Sequence, residues 1–281
     1  MTQKIAKEVI VALEKINPKD EFAYEEAIKT FLYLGRFPVF IDKVEMGTKI
    51  FRSRTHYNGE QFFKKVSEIF IPPKKVISSY ARCNKPFQSK LYGSENRSTS
   101  YIELVRSWIK DFNNKEKLFV TVGQWETQRD FNLVIITSPD ATLRTSVFDK
   151  YYGNHLDDFI SQSPDEERNA FAIIYRYLFC KFRNDLGDLH TYLITSAYCN
   201  LSLCLAKDNA DGIFYPSVIV KQDQSMNFAF NSDVAIHSNF KLITVIRNEI
   251  TVEKNHSQTN FKETGIKKVT SFNVEKDEII W

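Results

Sequence analysis

Residues 50–109 read IFRSRTHYNGEQFFKKVSEIFIPPKKVISSYARCNKPFQSKLYGSENRSTSYIELVRSWI, and this stretch decides what fold to expect. Arg52 and Arg54 alternate with Phe51 and Ser53. On a strand, alternate residues share a face, so both guanidinium groups should point the same way. Apolar Phe62, Phe63, Val66, Ile69 and Phe70 predict a short helix over 60–70, ended by Pro72-Pro73. Short strands are expected over 76–81 and 90–92. Ile102, Val105, Ile109 and Phe112 fall on one face of a helix over 100–112. Arginines near strand ends suit phosphate, because a guanidinium offers a rigid fork of donors. Glu103 has two readings. Ser100-x-x-Glu103 is a capping-box pattern, in which the glutamate bonds back to the helix start. A carboxylate beside arginines could instead stabilise a developing positive charge.

Toward the N-terminus, Ile5, Val9, Leu13 and Ile16 keep helical spacing over 4–16, and Asn17-Pro18 stops the run. A second helix is expected from 21 to 34, ending at Gly35. Strand-like alternation follows over 39–54, with a turn at Met46-Gly47. Toward the C-terminus, strands are expected over 118–122 and 131–136. The block 141–188 reads as mostly helical, with Pro164 and Asp165, Glu166 and Glu167 making a helix start. Leu193, Ala197, Leu201 and Cys204 predict a buried helix over 190–206. Strands are expected over 213–220, 227–230 and 241–246, and the polar tail from 253 to 281 should hold one more short strand over 268–272. The irregular interleaving of helices and strands indicates a mixed α/β domain of the α+β kind and not a doubly wound sheet.

The 281 residues are 43% hydrophobic and 26% charged, with 23 phenylalanines against 9 glycines. That composition supports a real core and argues against disorder. A net charge of +3 is too small to indicate direct nucleic-acid binding. The first residues, MTQKIAKEVIVALEKI, show no secretory pattern, and no stretch reaches a membrane span. Cys83, Cys180, Cys199 and Cys204 form no C-x-x-C pair, so reduced thiols in a cytoplasmic protein are expected. Phosphate-loop, dinucleotide-fold, zinc-protease and nucleophile-elbow motifs find no match, and the five histidines lack ligand spacing.

The order of the pieces resembles the RES domain, a family named for its arginine, glutamate and serine. The pieces are IFRSR at 50–54, Ala81-Arg82-Cys83-Asn84, Leu91-Tyr92, STSYIELV at 98–105, DGIFYPSV at 211–218 and Asn227. The chain departs from the family pattern at Ala81, Cys83 and Gln224-Ser225-Met226. The resemblance implies an ADP-ribosyltransferase-like fold: a split, mostly antiparallel sheet with surrounding helices. The resemblance covers roughly residues 47–230 and implies an NAD-binding catalytic domain over 47–235; the N-terminal helices, read as an extension over 1–46, and the tail, read as strands completing the domain over 236–281, lie outside the match. The activity implied is cleavage of the nicotinamide–ribose bond of NAD+, by hydrolysis or phosphorolysis, by the toxin of a toxin–antitoxin or defence module. Transfer of ADP-ribose to a protein and a non-catalytic binding module are the alternatives. Carried over by position, Arg52, Glu103 and Ser217 are the expected catalytic residues, and Arg82, Tyr92, Tyr80, Arg54 and Asn227 the expected binding residues. The expected partners are NAD+ as substrate, inorganic phosphate, a cognate antitoxin and a second copy of the chain; no metal is implied.

Overall fold

The apolar spacing at the N-terminus closes into α1 (Gln3–Lys15) and α2 (Ala23–Leu32) in the computed structural model of the chain. Described are residues 1–56, 62–110, 117–144, 147–184, 188–206, 209–217, 226–255 and 258–281, without the side chains of 102–103, 106–110, 252–255 and 258–261. The Thr2 side chain caps α1 by accepting from the Ile5 amide. Gly35 ends the turn after α2 at a φ of +72°, a left-handed conformation suited to glycine.

The remaining elements are β1 (Ile41–Val44), β2 (Lys49–Thr55), β3 (Lys90–Ser94), α3 (Arg97–Lys110), β4 (Lys117–Thr127), β5 (Phe131–Ile135), α4 (Val147–Ser161), α5 (Asp165–Phe182) and α6 (Leu189–Ala206). After them come β6 (Gly212–Pro216), β7 (Met226–Asn231), β8 (Phe240–Asn255), β9 (Gln258–Lys268), β10 (Ser271–Asn273) and β11 (Glu278–Ile280). One sheet runs in the order β1-β5-β6-β7-β3-β2-β4-β8-β9, and β10 and β11 form a separate hairpin. Every neighbouring pair is antiparallel except β5 with β6. The protein is therefore mixed α/β around a large, mostly antiparallel sheet.

Helices α1, α2, α5 and α6 cover one sheet face, burying Val134, Ile136, Ile213 and Ala229. On the other side lie Leu133, Ile135, Phe214, Phe228 and Phe230, against α4 and residues 63–70. Helix α3 lays Tyr101 and Val105 over Val120 and Val122 of β4. Helix α6 is buried despite its hydroxyls, because Ser196 and Ser202 donate to the Leu193 and Tyr198 carbonyls one turn back. No helix among the described residues is long and apolar enough to cross a membrane.

The sheet forks at its centre. β2 and β3 share a single registered pair, Phe51 with Ser94. Beyond it β2 follows β4, and β3 follows β7. Gly93 makes the crossing possible: a Cβ there would meet Ile50 Cγ2 at 2.3 Å and the Phe51 carbonyl at 3.3 Å.

Several expectations fail for identifiable reasons. No helix forms over the described part of 60–70; the chain makes a single 3₁₀ turn at Ser67–Ile69. Its carbonyls are drawn elsewhere, with Lys64 O accepting from the Ile279 amide and Phe63 O from the Trp281 indole at 2.7 Å. The strand expected over 76–81 is absent: a 3₁₀ turn at Lys74–Val76 leads to an isolated bridge between Ala81 and Asn84. The tail is not mostly irregular, since β8 and β9 pair as a long hairpin at the sheet edge. Its sequence is polar, so the alternation of apolar residues that marks a half-buried strand is missing. The strand expected over 213–220 ends at Pro216, and 218–220 lie outside the described residues.

Candidate active site

The strands' parting opens a cavity of about 350 Å³, bounded by β2, β3, the turn at 81–84, α3 and α6. Arg52, Arg54, Arg82, Tyr92 and Asn227, all expected site residues, line it. Alternation on β2 does place Arg52 and Arg54 on one face, and the fork lets both reach the cavity that Ser53 also lines. A volume of this size is within the range of small-molecule sites.

Arg52 is only 9% exposed. One terminal nitrogen donates to the Tyr92 carbonyl at 2.9 Å, filling an acceptor that the parting of β2 leaves free, and its Nε has no partner among the described residues. Burial, with Arg54 beside it, pushes the guanidinium down to about 9. No carboxylate among the described residues pairs with it. None of the described residues lining the cavity carries a carboxyl group.

The other two arginines are partly committed. Arg54 donates to the Glu68 carbonyl and lies over the Phe63 ring. Arg82 closes the C-terminal end of α5, donating to Lys181 O at 3.3 Å and Asn184 O at 2.6 Å, and it rests 5.4 Å from the centre of the Tyr192 ring. The Tyr92 hydroxyl donates to Asn84 Oδ1 at 2.7 Å and accepts from the Cys83 amide at 3.0 Å. Burial holds that phenol well above its ordinary value. Asn227 Oδ1 accepts from the Ser94 hydroxyl at 2.5 Å.

Helix α3 starts three residues earlier than its apolar pattern indicates. Asn96 caps it: its side chain accepts from the Thr99 amide at 2.8 Å and its carbonyl from the Ser100 amide. Ser100 is therefore already inside the helix. Its hydroxyl meets Arg97 O and Ser53 Oγ, both at 2.6 Å. The capping-box reading of Glu103 fails on this backbone, because Glu103 stands in the second turn. Its side chain lies outside the described residues. Positions 99, 100, 103 and 104 share one helix face, and Thr99, Ser100 and Leu104 of that face line the cavity.

Two expected residues stand apart from the cavity lining. Tyr80 stacks on Tyr24 of α2, with ring centres 6.0 Å apart. Ser217 is buried just past β6, whose Tyr215 does line the cavity. Tyr192, Tyr215, Ser53 and Thr99 also line the cavity without having been expected as site residues, although Tyr215 and Ser53 lie within DGIFYPSV and IFRSR. Tyr192 and Tyr215 come from segments far downstream of the fork, and nothing local marks Ser53 or Thr99. All four cysteines are free, and the described residues hold no group of three or more metal-binding side chains. No family model matches the chain, and no curated protein matches it.

Proposed function

We propose that the cavity binds NAD+ and cleaves its nicotinamide–ribose bond, with water or inorganic phosphate as acceptor. The observation that carries this reading is Arg52, a buried cation with no carboxylate partner among the described residues, set in a cavity with two further arginines and the α3 face that includes position 103. A buried unpaired charge is costly unless an anion completes it. A diphosphate supplies that anion, and guanidinium groups grip it through charge-assisted hydrogen bonds.

Each residue then has a task. Arg52 and Arg82 hold the diphosphate. The Glu103 carboxylate stabilises the oxocarbenium-like ribose that forms as neutral nicotinamide leaves. Asn227, bonded to Ser94, and Ser217 orient the ribose or the amide. Water or phosphate then attacks the anomeric carbon from the vacated side. This assignment takes the forked sheet as an ADP-ribosyltransferase-like core of RES type. An unregulated consumer of NAD+ suits a toxin held by an antitoxin.

One observation favours a second reading, a binding module without catalysis. Arg82 already closes α5, and the Tyr92 hydroxyl is committed to the turn at 83–84, so both serve the fold without any ligand. Nicotinamide release from NAD+, measured with and without phosphate, separates the two. Release by the purified protein supports the enzyme. Saturable NAD+ binding without release supports the module. Absence of both ends the NAD+ reading.

A further inference from the structure

We infer that Ser53 selects the ligand group that sits against β2, and that this group is a sugar hydroxyl. The inference rests on the NAD+ reading above and gives a task to a residue that has none in it. Ser53 lines the cavity, and its hydroxyl lies 2.6 Å from that of Ser100, which lines it too. A serine hydroxyl has one proton to give. That of Ser100 goes back to the Arg97 carbonyl at 2.6 Å, one turn earlier in α3. The bond between the two serines therefore uses the proton of Ser53, and Ser53 offers the cavity only lone pairs. The far end of this relay is anchored. Asn96 caps the start of α3, and the Arg97 guanidinium donates to both oxygens of Glu263 on β9 at 3.2 and 2.9 Å.

A group bound against Ser53 must bring its own proton. A deprotonated phosphate oxygen brings none, and meeting it would break the bond to Ser100. An ammonium group is disfavoured by Arg52, Arg54 and Arg82 in the same cavity. A sugar hydroxyl supplies the proton without charge. Alternation on β2 puts Ser53 on the α3 side and Arg52 and Arg54 on the other, where they bond to the Tyr92 and Glu68 carbonyls. One side of the strand therefore asks for an anion, and the other for a donor. The phosphate and ribose of a nucleotide meet both demands. Ser100 shares its helix face with position 103, so the ribose that Ser53 meets is the one whose bond is cleaved.

The test is a cycle between protein and substrate, run on the full chain. kcat/KM is measured for wild type, Ser53→Ala and Ser53→Cys on NAD+ and on two analogues lacking the 2′- or the 3′-hydroxyl of the nicotinamide-side ribose. Each variant is compared with wild type on the same substrate, which cancels the analogues' own reactivity. Ser53→Ala is expected to lose about tenfold on NAD+, the worth of one hydrogen bond, and to lose nothing on one of the two analogues. Ser53→Cys, which keeps the size but accepts weakly, should match it and carries the test should melting temperatures show the alanine variant damaged. An unchanged kcat/KM on NAD+ overturns the assignment. So does an equal loss on NAD+ and on both analogues, which would mean that Ser53 meets the nicotinamide amide or only supports α3. Should wild type bind NAD+ without cleaving it, dissociation constants replace kcat/KM and the same outcomes decide. A wild type that neither binds nor cleaves NAD+ removes the parent reading and this one with it.

Discussion

Two arginines are almost equally buried and have opposite surroundings. Arg144, behind α4, is 6% exposed. Its Nε donates to the Ser138 carbonyl at 2.8 Å, and its two terminal nitrogens form a fork with Asp157 at 2.7 and 2.6 Å. Gly153 leaves room for it, since a Cβ there would sit 2.3 Å from Arg144 Nε. Arg52, at the fork of the sheet, has one carbonyl and no carboxylate among the described residues. Both are buried cations, but among the described residues Arg144 finds a carboxylate and Arg52 does not. Burial alone therefore does not mark an arginine as a site candidate; burial in a cavity without a counter-ion among the described residues is what sets Arg52 apart.

The largest effect expected concerns the carboxylate that the fork would recruit. Glu103→Gln should lower NAD+ cleavage by about a hundred- to a thousandfold, since removing such electrostatic support costs roughly 3–4 kcal/mol of barrier. Its melting temperature should match wild type, because Asn96 and not Glu103 completes the helix start. Full activity in this variant would leave Arg52 without a catalytic setting.

The arginines themselves can be exchanged for methionine, which keeps the volume and removes the charge. Arg52→Met should weaken NAD+ binding about tenfold to a hundredfold, the usual worth of hydrogen bonds to a charged group. Its melting temperature should stay within a few degrees of wild type, because loss of a buried charge with no carboxylate among the described residues offsets the Tyr92 carbonyl left without its donor. Arg144→Met should do the reverse, lowering stability by about 2 kcal/mol and leaving affinity alone; the half-exposed Asp157 it strands remains hydrated. A fall in stability for Arg52→Met as large as that for Arg144→Met would abolish the contrast.

A half-buried group sharpens the comparison from the acidic side. Glu95 follows the cavity-lining Ser94. Burial raises its carboxyl to about 8, against the lowering effect of the Met226 amide and with a further push from Asp149. Its folded value lies above the ordinary 4.5. Between those values the folded state holds a proton that the unfolded state has lost, so stability falls as pH rises from about 4.5 to about 8 and then levels off. Glu95→Gln should raise the melting temperature by a few degrees at pH 8 and leave it unchanged near pH 4. Equal shifts at both pH values would mean that folding leaves the Glu95 carboxyl at its ordinary value.

The smallest effect expected is at the cap. Asn96→Ala should cost about 1 kcal/mol of stability, read as a melting shift of a few degrees. No loss would restore Ser100 as the helix start.

How much of this was legible beforehand depended on whether a residue's partners were local. Helices α1, α2, α5 and α6 follow from spacing and from boundary signals such as the stop at Gly35 and the start at Pro164. The shared face of Arg52 and Arg54 follows from strand alternation. That Arg82 and Asn227 line one cavity was expected from resemblance to an ordered set of motifs, since no local pattern joins them. Other features depended on distant atoms. Phe62 to Phe70 has helical apolar spacing, but the tail's Ile279 and Trp281 claim its carbonyls. Ser100-x-x-Glu103 has capping-box letters, but Asn96 captures the helix start first. Tyr80 looked like a site tyrosine until α2 supplied Tyr24 as its neighbour.

The central claim is that the fork holds the diphosphate of NAD+ through Arg52. It is tested most directly by calorimetric titration of NAD+ into Glu103→Gln, which binds without consuming the ligand, and into the double variant Arg52→Met/Glu103→Gln. The expected result is saturable one-site binding to the first and at least a tenfold weaker affinity in the second, with matching melting temperatures. Equal affinity in the two proteins, or no binding to the first, would contradict it.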